Sequence, residues 1–185
     1  MTSDDAPEAL NAFIEKMQRE NLPPVVIETF SHYYRQVVTG ETGMISDREI
    51  SPVPPDSVAD ARNLDAYADA GREAYNRAVT IVLNGGLGTS MGLTGPKSLL
   101  IVKDGLTFLD VIVEQARRRN VRLALMNSFS THEETVAALD RIATEPPPLT
   151  FLQHKFPKIR RDDLTPAQWP ADPELEWNPP GHGDI

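Results

Sequence analysis

The chain has 185 residues, 40% of them hydrophobic and 24% charged, a composition typical of a globular protein with room for one α/β domain and extensions. Its formal net charge of −9 at pH 7 argues against a nucleic-acid surface, and the absence of cysteine excludes disulfides and thiolate metal sites. The acidic N-terminus is unlike a signal peptide and no apolar run could cross a membrane, so we expect a cytoplasmic protein without a membrane or nucleic-acid partner.

The N-terminal part is predicted to be helical. Apolar residues recur at helical spacing from Pro7 to Val38, with a break at residues 21–23, which indicates two amphipathic helices. Glycines and prolines then mark a connecting segment at residues 39–55. We interpret residues 1–57 as a helical extension with a linker, whose helices pack on a neighbouring domain, and we predict a third helix from about Val58 to Arg77.

A strand followed by a glycine-rich loop is the most informative feature of the chain. The apolar run at residues 78–83 predicts the strand, and residues 84–98 read NGGLGTSMGLTGPKS. Glycine lets backbone N–H groups approach a ligand closely, and five of the eleven glycines lie in this loop. A surface turn is the alternative, but a turn does not need so many glycines, or a Lys97 directly after Pro96. The sequence therefore favours binding of a nucleoside triphosphate.

Two well-known phosphate-binding loops do not match these letters. A Walker A loop requires G-x-x-x-x-G-K-[ST], whereas Pro96 separates Gly95 from Lys97. The dinucleotide fingerprint G-x-G-x-x-G is one residue shorter than the spacing of Gly86, Gly88 and Gly92. A dehydrogenase of the Rossmann type is therefore a weaker alternative.

Strand-like and helix-like patterns alternate beyond the loop. Because strands separated by helices pair in parallel, this pattern predicts an α/β fold with a doubly wound, mainly parallel sheet within residues 58–185. Both predicted helices begin with a threonine that is followed three residues later by an acidic residue, as in a capping box. The predicted elements are strand Leu99–Val102, helix Thr107–Asn120, strand Val121–Met126, helix Thr131–Ala143 and strand Leu149–Leu152.

Asn84, Asn127 and Gln153 each come directly after a predicted strand. Ligands of parallel sheets bind at the carboxyl ends of the strands, so these residues are predicted to form a polar rim around a binding site. Taken singly, Asn127 is equally compatible with a helix cap or turn, and Gln153 with a surface position. The Gln153 amide offers a donor and an acceptor, which is the pairing that a uracil imide requires.

The C-terminal stretch from His154 is rich in prolines and has little periodicity, so we predict mainly loops there. It ends in the segment PPGHGD at residues 179–184, where His182 lies between two glycines that free the backbone. A lone histidine is more often structural or simply exposed, so the residues alone do not give His182 a functional role.

Four segments together resemble one enzyme family. Residues 83–98, LNGGLGTSMGLTGPKS, are similar to the nucleotide-binding signature of eukaryotic-type UTP-glucose-1-phosphate uridylyltransferases, also called UDP-glucose pyrophosphorylases. MNSF at 126–129, the glutamine of FLQ at 151–153 and PPGHGD at 179–184 follow in the family's order. Related sugar nucleotidyltransferases carry arginine where this chain has Ser90, which points to the UDP-glucose branch.

The resemblance implies transfer of uridylyl from UTP to glucose 1-phosphate, with Mg²⁺ as the cofactor and UDP-glucose and pyrophosphate as products. Lys97 would be the catalytic residue, because its charge would stabilise the transferred and leaving phosphates. The implied UTP contacts are Leu83, Asn84, Gly85, Gly86, Gly88, Thr89, Lys97, Gln153 and Gly181. The implied sugar-phosphate contacts are Gly85, Gly86, Asn127 and His182.

The resemblance reaches Ile185 partway through the family's catalytic domain, so we expect an incomplete domain. The aspartate that binds Mg²⁺ in the family would lie beyond Ile185, and we expect no metal ligand before it. Catalysis is therefore expected of the full-length protein, and a noncatalytic uridine-nucleotide-binding module is the alternative for these residues. Pyrophosphate release in the presence of both substrates would distinguish the two functions.

Overall fold

The structure, a computed structural model, describes residues 5–88, 92 and 95–184. The α-helices in these residues are α1 (Asp5–Arg19), α2 (Pro24–Thr39), α3 (Ala68–Tyr75), α4 (Phe108–Arg118) and α5 (His132–Ile142). The strands are β1 (Val79–Asn84), β2 (Ile101–Lys103), β3 (Leu106–Thr107), β4 (Arg122–Asn127), β5 (Leu149–Leu152), β6 (Phe156–Pro157) and β7 (Trp177–Asn178). Short 3₁₀ helices cover Asp47–Glu49, Pro55–Ser57, Ala61–Asn63, Asp65–Tyr67, Lys97–Leu99 and Pro173–Glu176.

A parallel sheet with the strand order β1–β4–β5 forms the centre of the fold. Leu123 and Leu125 of the central strand form one buried cluster with Leu109 and Val113 of α4 and Ala138 of α5. The central strand is buried along most of its length, whereas β5 is exposed throughout. The predicted α/β fold with a mainly parallel sheet is confirmed.

The two N-terminal helices pack against the C-terminal part of the chain. Phe13 of α1, Phe30 and Tyr34 of α2, and Trp177 of β7 belong to a second buried cluster. The ring centroid of Phe13 lies 5.1 Å from that of Phe30 and 4.9 Å from that of Tyr34. The Tyr34 hydroxyl donates a hydrogen bond to the Leu164 carbonyl at 2.9 Å. The predicted helix pair is confirmed, and these contacts hold it to the segment that follows β5.

The third helix is shorter than predicted. Instead of running from about Val58 to Arg77, the helix is limited to Ala68–Tyr75, and short 3₁₀ turns precede it. One cause is local, because the Asp60 carboxylate accepts a hydrogen bond from the Arg62 N–H at 2.9 Å and so stabilises a turn. None of the residues described in α3 is buried, so packing does not extend the helix either.

The strand predicted at Leu99–Val102 does not join the parallel sheet. It begins at Ile101 and pairs antiparallel with β3 as a short hairpin. Asp104 and Gly105 have positive φ angles of 51° and 80°, which reverse the chain directly after β2. The prediction was wrong here because the turn closes a hairpin before a crossover helix can form.

The capping box predicted at the start of α4 is present. The Thr107 hydroxyl accepts from the Asp110 N–H at 3.1 Å, and the Asp110 carboxylate accepts from the Thr107 N–H at 2.7 Å. The hydrogen bonds to the side chain and backbone of Thr107 hold the pKa of Asp110 below its usual range.

Candidate functional site

The carboxyl ends of the three parallel strands bring the predicted polar residues together. Asn84 lies opposite Asn127 in the β1–β4 register, and Asn127 lies opposite Leu152 in the β4–β5 register. Gln153 follows Leu152 and donates its backbone N–H to the Asn127 carbonyl at 2.8 Å. Leu83, one residue before Asn84, lies opposite Met126. The three strand ends therefore form one continuous edge, as the sequence predicts.

Asn84 and Asn127 form a buried amide network and not an open rim. The Asn84 Nδ2 donates to the Asn127 Oδ1 at 2.7 Å and to the Thr135 Oγ1 at 2.9 Å. The Asn127 Nδ2 lies 3.2 Å from the His132 Nδ1, so with this amide orientation His132 accepts and carries its proton on Nε2. The Asn127 side chain is completely buried. These hydrogen bonds fix the orientation of both side-chain amides, and Asn127 holds the Asn84 side chain in place.

Thr131 joins the turn after β4 to the end of β1. Its hydroxyl donates to the Asn84 carbonyl at 2.9 Å and accepts from the Ser128 N–H at 3.0 Å. The predicted capping box with Glu134 is absent, since Thr131 makes no side-chain capping bond to α5. The hydroxyl instead donates its hydrogen bond to the carbonyl of Asn84, the last residue of β1.

The glycine-rich loop folds back on itself. Leu87 and Pro96 form an isolated antiparallel bridge. The Gly88 N–H donates to the Gly95 carbonyl, and the Lys97 N–H donates to the Gly86 carbonyl, both at 3.1 Å. These contacts bring residues 86–88 and 95–97 together, and we call this part of the loop, next to the strand ends, the neck. Thr89, a predicted UTP contact, lies outside the described residues.

Gly85 and Gln153 are in direct contact. A Cβ atom placed on Gly85 would lie 1.7 Å from the Gln153 Nε2, so no larger residue fits while that side chain keeps its position. Gln153 is only 6% exposed. Its Oε1 is buried and has no hydrogen-bond partner among the described residues. The carboxamide therefore lies over the first glycine of the loop with an unsatisfied acceptor.

Charged side chains of both signs lie beside the loop. Lys97 is exposed at the neck, and its Cδ lies 3.8 Å from the point where a Gly86 Cβ would be. On the other side, the Glu134 Oε2 of α5 lies 3.0 Å from the corresponding point on Gly95. Lys97 thus places a positive charge beside the first half of the loop, whereas Glu134 places a negative charge against the second half.

The GHGD turn approaches the end of β5. Gly181 has a φ of 102°, which strongly favours glycine, and its carbonyl accepts from the Asp184 N–H at 3.4 Å. The Asp184 carboxylate accepts from the His154 N–H at 2.5 Å and lies 3.0 Å from the His154 Nδ1. His182 is exposed on this turn. These bonds tie the turn to His154, the residue that follows Gln153.

Sequence reasoning missed several residues that support the site. Thr135 and His132 fix the amide network, and Asp184 holds the GHGD turn. Only the spacing of Thr131, which directly precedes α5, and Thr135, in its first turn, could have suggested a polar face directed at the strand ends.

The described residues contain no group of three or more His, Asp or Glu side chains that could hold a metal ion. In the same part of the chain, no helix combines the length and the apolar character needed to span a membrane.

Comparison with protein families and curated sequences identifies related proteins. The family model described as UTP-glucose-1-phosphate uridylyltransferase matches residues 27–185. UTP-glucose-1-phosphate uridylyltransferase 2 of Dictyostelium discoideum is 35% identical over 168 residues, which cover 86% of this chain and 34% of the relative. The Solanum tuberosum UTP-glucose-1-phosphate uridylyltransferase is 40% identical over 122 residues, or 62% of this chain and 26% of the relative. The chain thus spans about a third or less of the length of these relatives.

Solved structures show the same similarity. The UDP-glucose phosphorylase of Trypanosoma brucei is 41% identical with a TM-score of 0.76, and the match covers 96% of this chain and 38% of that one. A mutant UDP-glucose pyrophosphorylase of Leishmania major, solved in complex with UDP-glucose, is 37% identical with a TM-score of 0.79 and the same coverage.

Proposed function

Because this chain belongs to the UTP-glucose-1-phosphate uridylyltransferase family, we propose that it acts in the transfer of uridylyl from UTP to glucose 1-phosphate. The products are UDP-glucose and pyrophosphate. In this proposal, the edge formed by the strand ends, the glycine-rich loop and the GHGD turn binds the nucleotide. The chain spans about a third of the length of its relatives. We therefore propose the complete reaction for the whole protein and assign UTP binding to the residues described here.

The observation that carries the proposal is the buried Gln153 carboxamide beside the loop. An unpartnered buried acceptor costs about 1–3 kcal/mol, and a turn of the carboxamide that lets Oε1 accept a ligand N–H would remove that penalty. Uracil presents an N–H next to carbonyl oxygens, so one carboxamide can accept from the base and donate to it. Cytosine lacks this N–H at neutral pH, and we therefore assign the choice of UTP to Gln153.

Lys97 and the first glycines of the loop are proposed to bind the phosphates. The Gly88 N–H is bonded within the neck, so we assign the phosphate contacts to the backbone N–H groups of Gly85 and Gly86 and to the Lys97 ammonium. Uridylyl transfer proceeds by in-line attack of a sugar-phosphate oxygen on the α-phosphorus while pyrophosphate leaves, so positioning and charge stabilisation dominate catalysis. Lys97 would act by stabilising the negative charge that develops on the phosphates.

At the sugar phosphate we propose His182, which is exposed on the GHGD turn. The predicted contact of Asn127 with the sugar phosphate remains a prediction. Because the Asn127 side chain is buried and hydrogen-bonded to Asn84, we propose that it orients the Asn84 side chain.

Mg²⁺ and a cytoplasmic location are also part of the proposal. Mg²⁺ would reduce the charge of the triphosphate, and it commonly binds substrate phosphates and water with few protein ligands. The described residues contain no group of three or more His, Asp or Glu side chains that could hold a metal ion, and we assign no step to Mg²⁺. The cysteine-free sequence supports a reducing compartment such as the cytoplasm.

The proposal predicts that the Gln153→Ala substitution weakens UTP binding. Calorimetric titration with UTP, CTP and ATP in the presence of Mg²⁺ should show selective binding of UTP by the unchanged chain. The substitution should lower UTP affinity by about tenfold or more, because it removes two hydrogen bonds to the base, and should bring UTP and CTP affinities together. Gln115→Ala, at an exposed position of α4, is the matched control and should bind like the unchanged chain. Unchanged selectivity in Gln153→Ala would remove Gln153 from the base site.

A further inference from the structure

The segment at residues 177–184 is attached to the rest of the fold at both ends. At its first end, β7 pairs antiparallel with β6. At its other end, the Asp184 carboxylate accepts the His154 N–H at 2.5 Å and lies 3.0 Å from the His154 Nδ1. Gly181 and His182 lie between these two attachments. The Asp184 bonds to His154 therefore tie the far side of this turn to the chain just after β5.

The Asp184 carboxylate links this turn to the chain just after β5. His154 directly follows Gln153, and Asp184 closes the turn that begins at Gly181, since its N–H donates to the Gly181 carbonyl. The Asp184 side chain is only 13% exposed, so water competes little for its oxygen atoms. A charged acceptor makes a stronger bond to a backbone N–H than a neutral one. Asp184 therefore connects the turn that begins at Gly181 to the residue that follows Gln153.

We propose that Asp184 is a positioning residue for base recognition, because its carboxylate holds the Gly181–His182 turn against the strand end that carries Gln153. The inference rests on the proposed function, in which Gln153 contacts uracil and the GHGD turn binds the nucleotide. Loss of the carboxylate removes the bonds between the turn and His154 while the Gln153 carboxamide stays over Gly85. UTP affinity should then fall, because the turn no longer supports the paired base, whereas CTP should lose little, because a base that does not pair with Gln153 is not held beside the turn.

The attachment itself is tested without any nucleotide. Hydrogen exchange of the peptide covering residues 178–184 should become about tenfold faster in Asp184→Ala, since the bonds to His154 are lost. In Asp184→Asn the exchange rate should lie nearer that of the unchanged chain, because the amide oxygen can still accept the His154 N–H. Asp140→Ala, at an exposed position of α5, is the matched control and should leave exchange of this peptide unchanged. Equal exchange in all four proteins would overturn the attachment.

Nucleotide titration then separates a positioning role from a merely structural one. Asp184→Ala should reduce UTP affinity about tenfold and CTP affinity by much less, and Asp184→Asn should restore most of the difference. Faster exchange with an unchanged ratio of UTP to CTP affinity would overturn the positioning role. If the unchanged chain does not prefer UTP, the proposed function fails at this site, while the exchange measurement still decides whether Asp184 holds the turn.

Discussion

Gly85 shows how one residue without a side chain makes room for the Gln153 carboxamide, the group proposed to recognise uracil. The Gln153 amide occupies the space that a Cβ atom on Gly85 would need, with only 1.7 Å between the two positions. Gly85 has no positive φ angle, so the requirement for glycine comes from contact and not from backbone strain. The loop and the strand end are therefore coupled through a single packing contact.

The Gly85→Ala substitution should displace the Gln153 side chain. Since the new methyl group and the amide cannot occupy the same space, UTP affinity should fall about tenfold, as in Gln153→Ala. Adding Gln153→Ala to Gly85→Ala should cause little further loss, because both changes remove the same contact. Calorimetric titration of the two single variants and the double variant measures this coupling.

Gly71→Ala is the control for Gly85→Ala, since it lies in α3 where a Cβ atom would meet nothing within 4 Å. It should leave UTP affinity unchanged and slightly stabilise the helix. Additive losses in the double variant would contradict the proposed packing contact.

Local sequence signals determined the elements well only where short-range contacts decide the structure. The capping box of Thr107 and Asp110 was predicted correctly because both partners lie within one helical turn. Thr131 presents the same pattern but uses its hydroxyl across the sheet, on the Asn84 carbonyl. The pattern of residue types could not reveal this, since the β1–β4 register that places Asn84 there joins residues more than forty positions apart in the chain.

The capping box also makes the stability of α4 depend on pH. The pKa of Asp110 is lowered in the folded state, so its contribution is complete above the ordinary aspartate pKa and is lost as the pH falls through the folded-state pKa. Asp110→Asn should therefore reduce the free energy of unfolding by about 0.5–1 kcal/mol at pH 7. The difference from the unchanged chain should shrink as the pH falls below the ordinary aspartate pKa of about 3.9.

Urea unfolding at pH 7 and at pH 3 tests the prediction for Asp110. Asp140→Asn, at an exposed position of α5, controls for the loss of one negative charge. If Asp110→Asn destabilises the chain equally at both pH values, the ionised carboxylate is not the stabilising group.

At the scale of the whole molecule, the buried hydrophobic residues form two separate clusters. One lies between β4 and the helices α4 and α5, and the other joins the N-terminal helices to the segment after β5. The second cluster is reinforced at its border, where Lys16 pairs with Glu176 and Lys155 lies 3.0 Å from Glu20. The sequence predicted that the N-terminal helices pack on a neighbour, but the partner segment has little periodicity and gave no signal of its own.

Because α1 and β7 share one buried cluster, we predict that a substitution in α1 raises hydrogen exchange more than 140 residues later in the chain. Phe13 is completely buried, and Phe13→Ala should reduce the free energy of unfolding by about 3–5 kcal/mol. Hydrogen exchange should then rise in peptides covering residues 156–178, because Trp177 packs in the same cluster. Phe13→Leu, which leaves a smaller cavity, should show the same pattern more weakly and covers the case that the alanine variant does not fold.

Tyr33→Ala is the matched aromatic control, since Tyr33 lies on α2 with 55% of its surface exposed. It should change neither the unfolding free energy by more than about 0.5 kcal/mol nor the exchange of residues 156–178. Exchange that rises only within α1 and α2 after Phe13→Leu would show that the N-terminal helices pack on each other alone. A rise at residues 156–178 would instead show that the first and last described parts of the chain form one cooperative unit, next to the turn that carries Gly181 and His182.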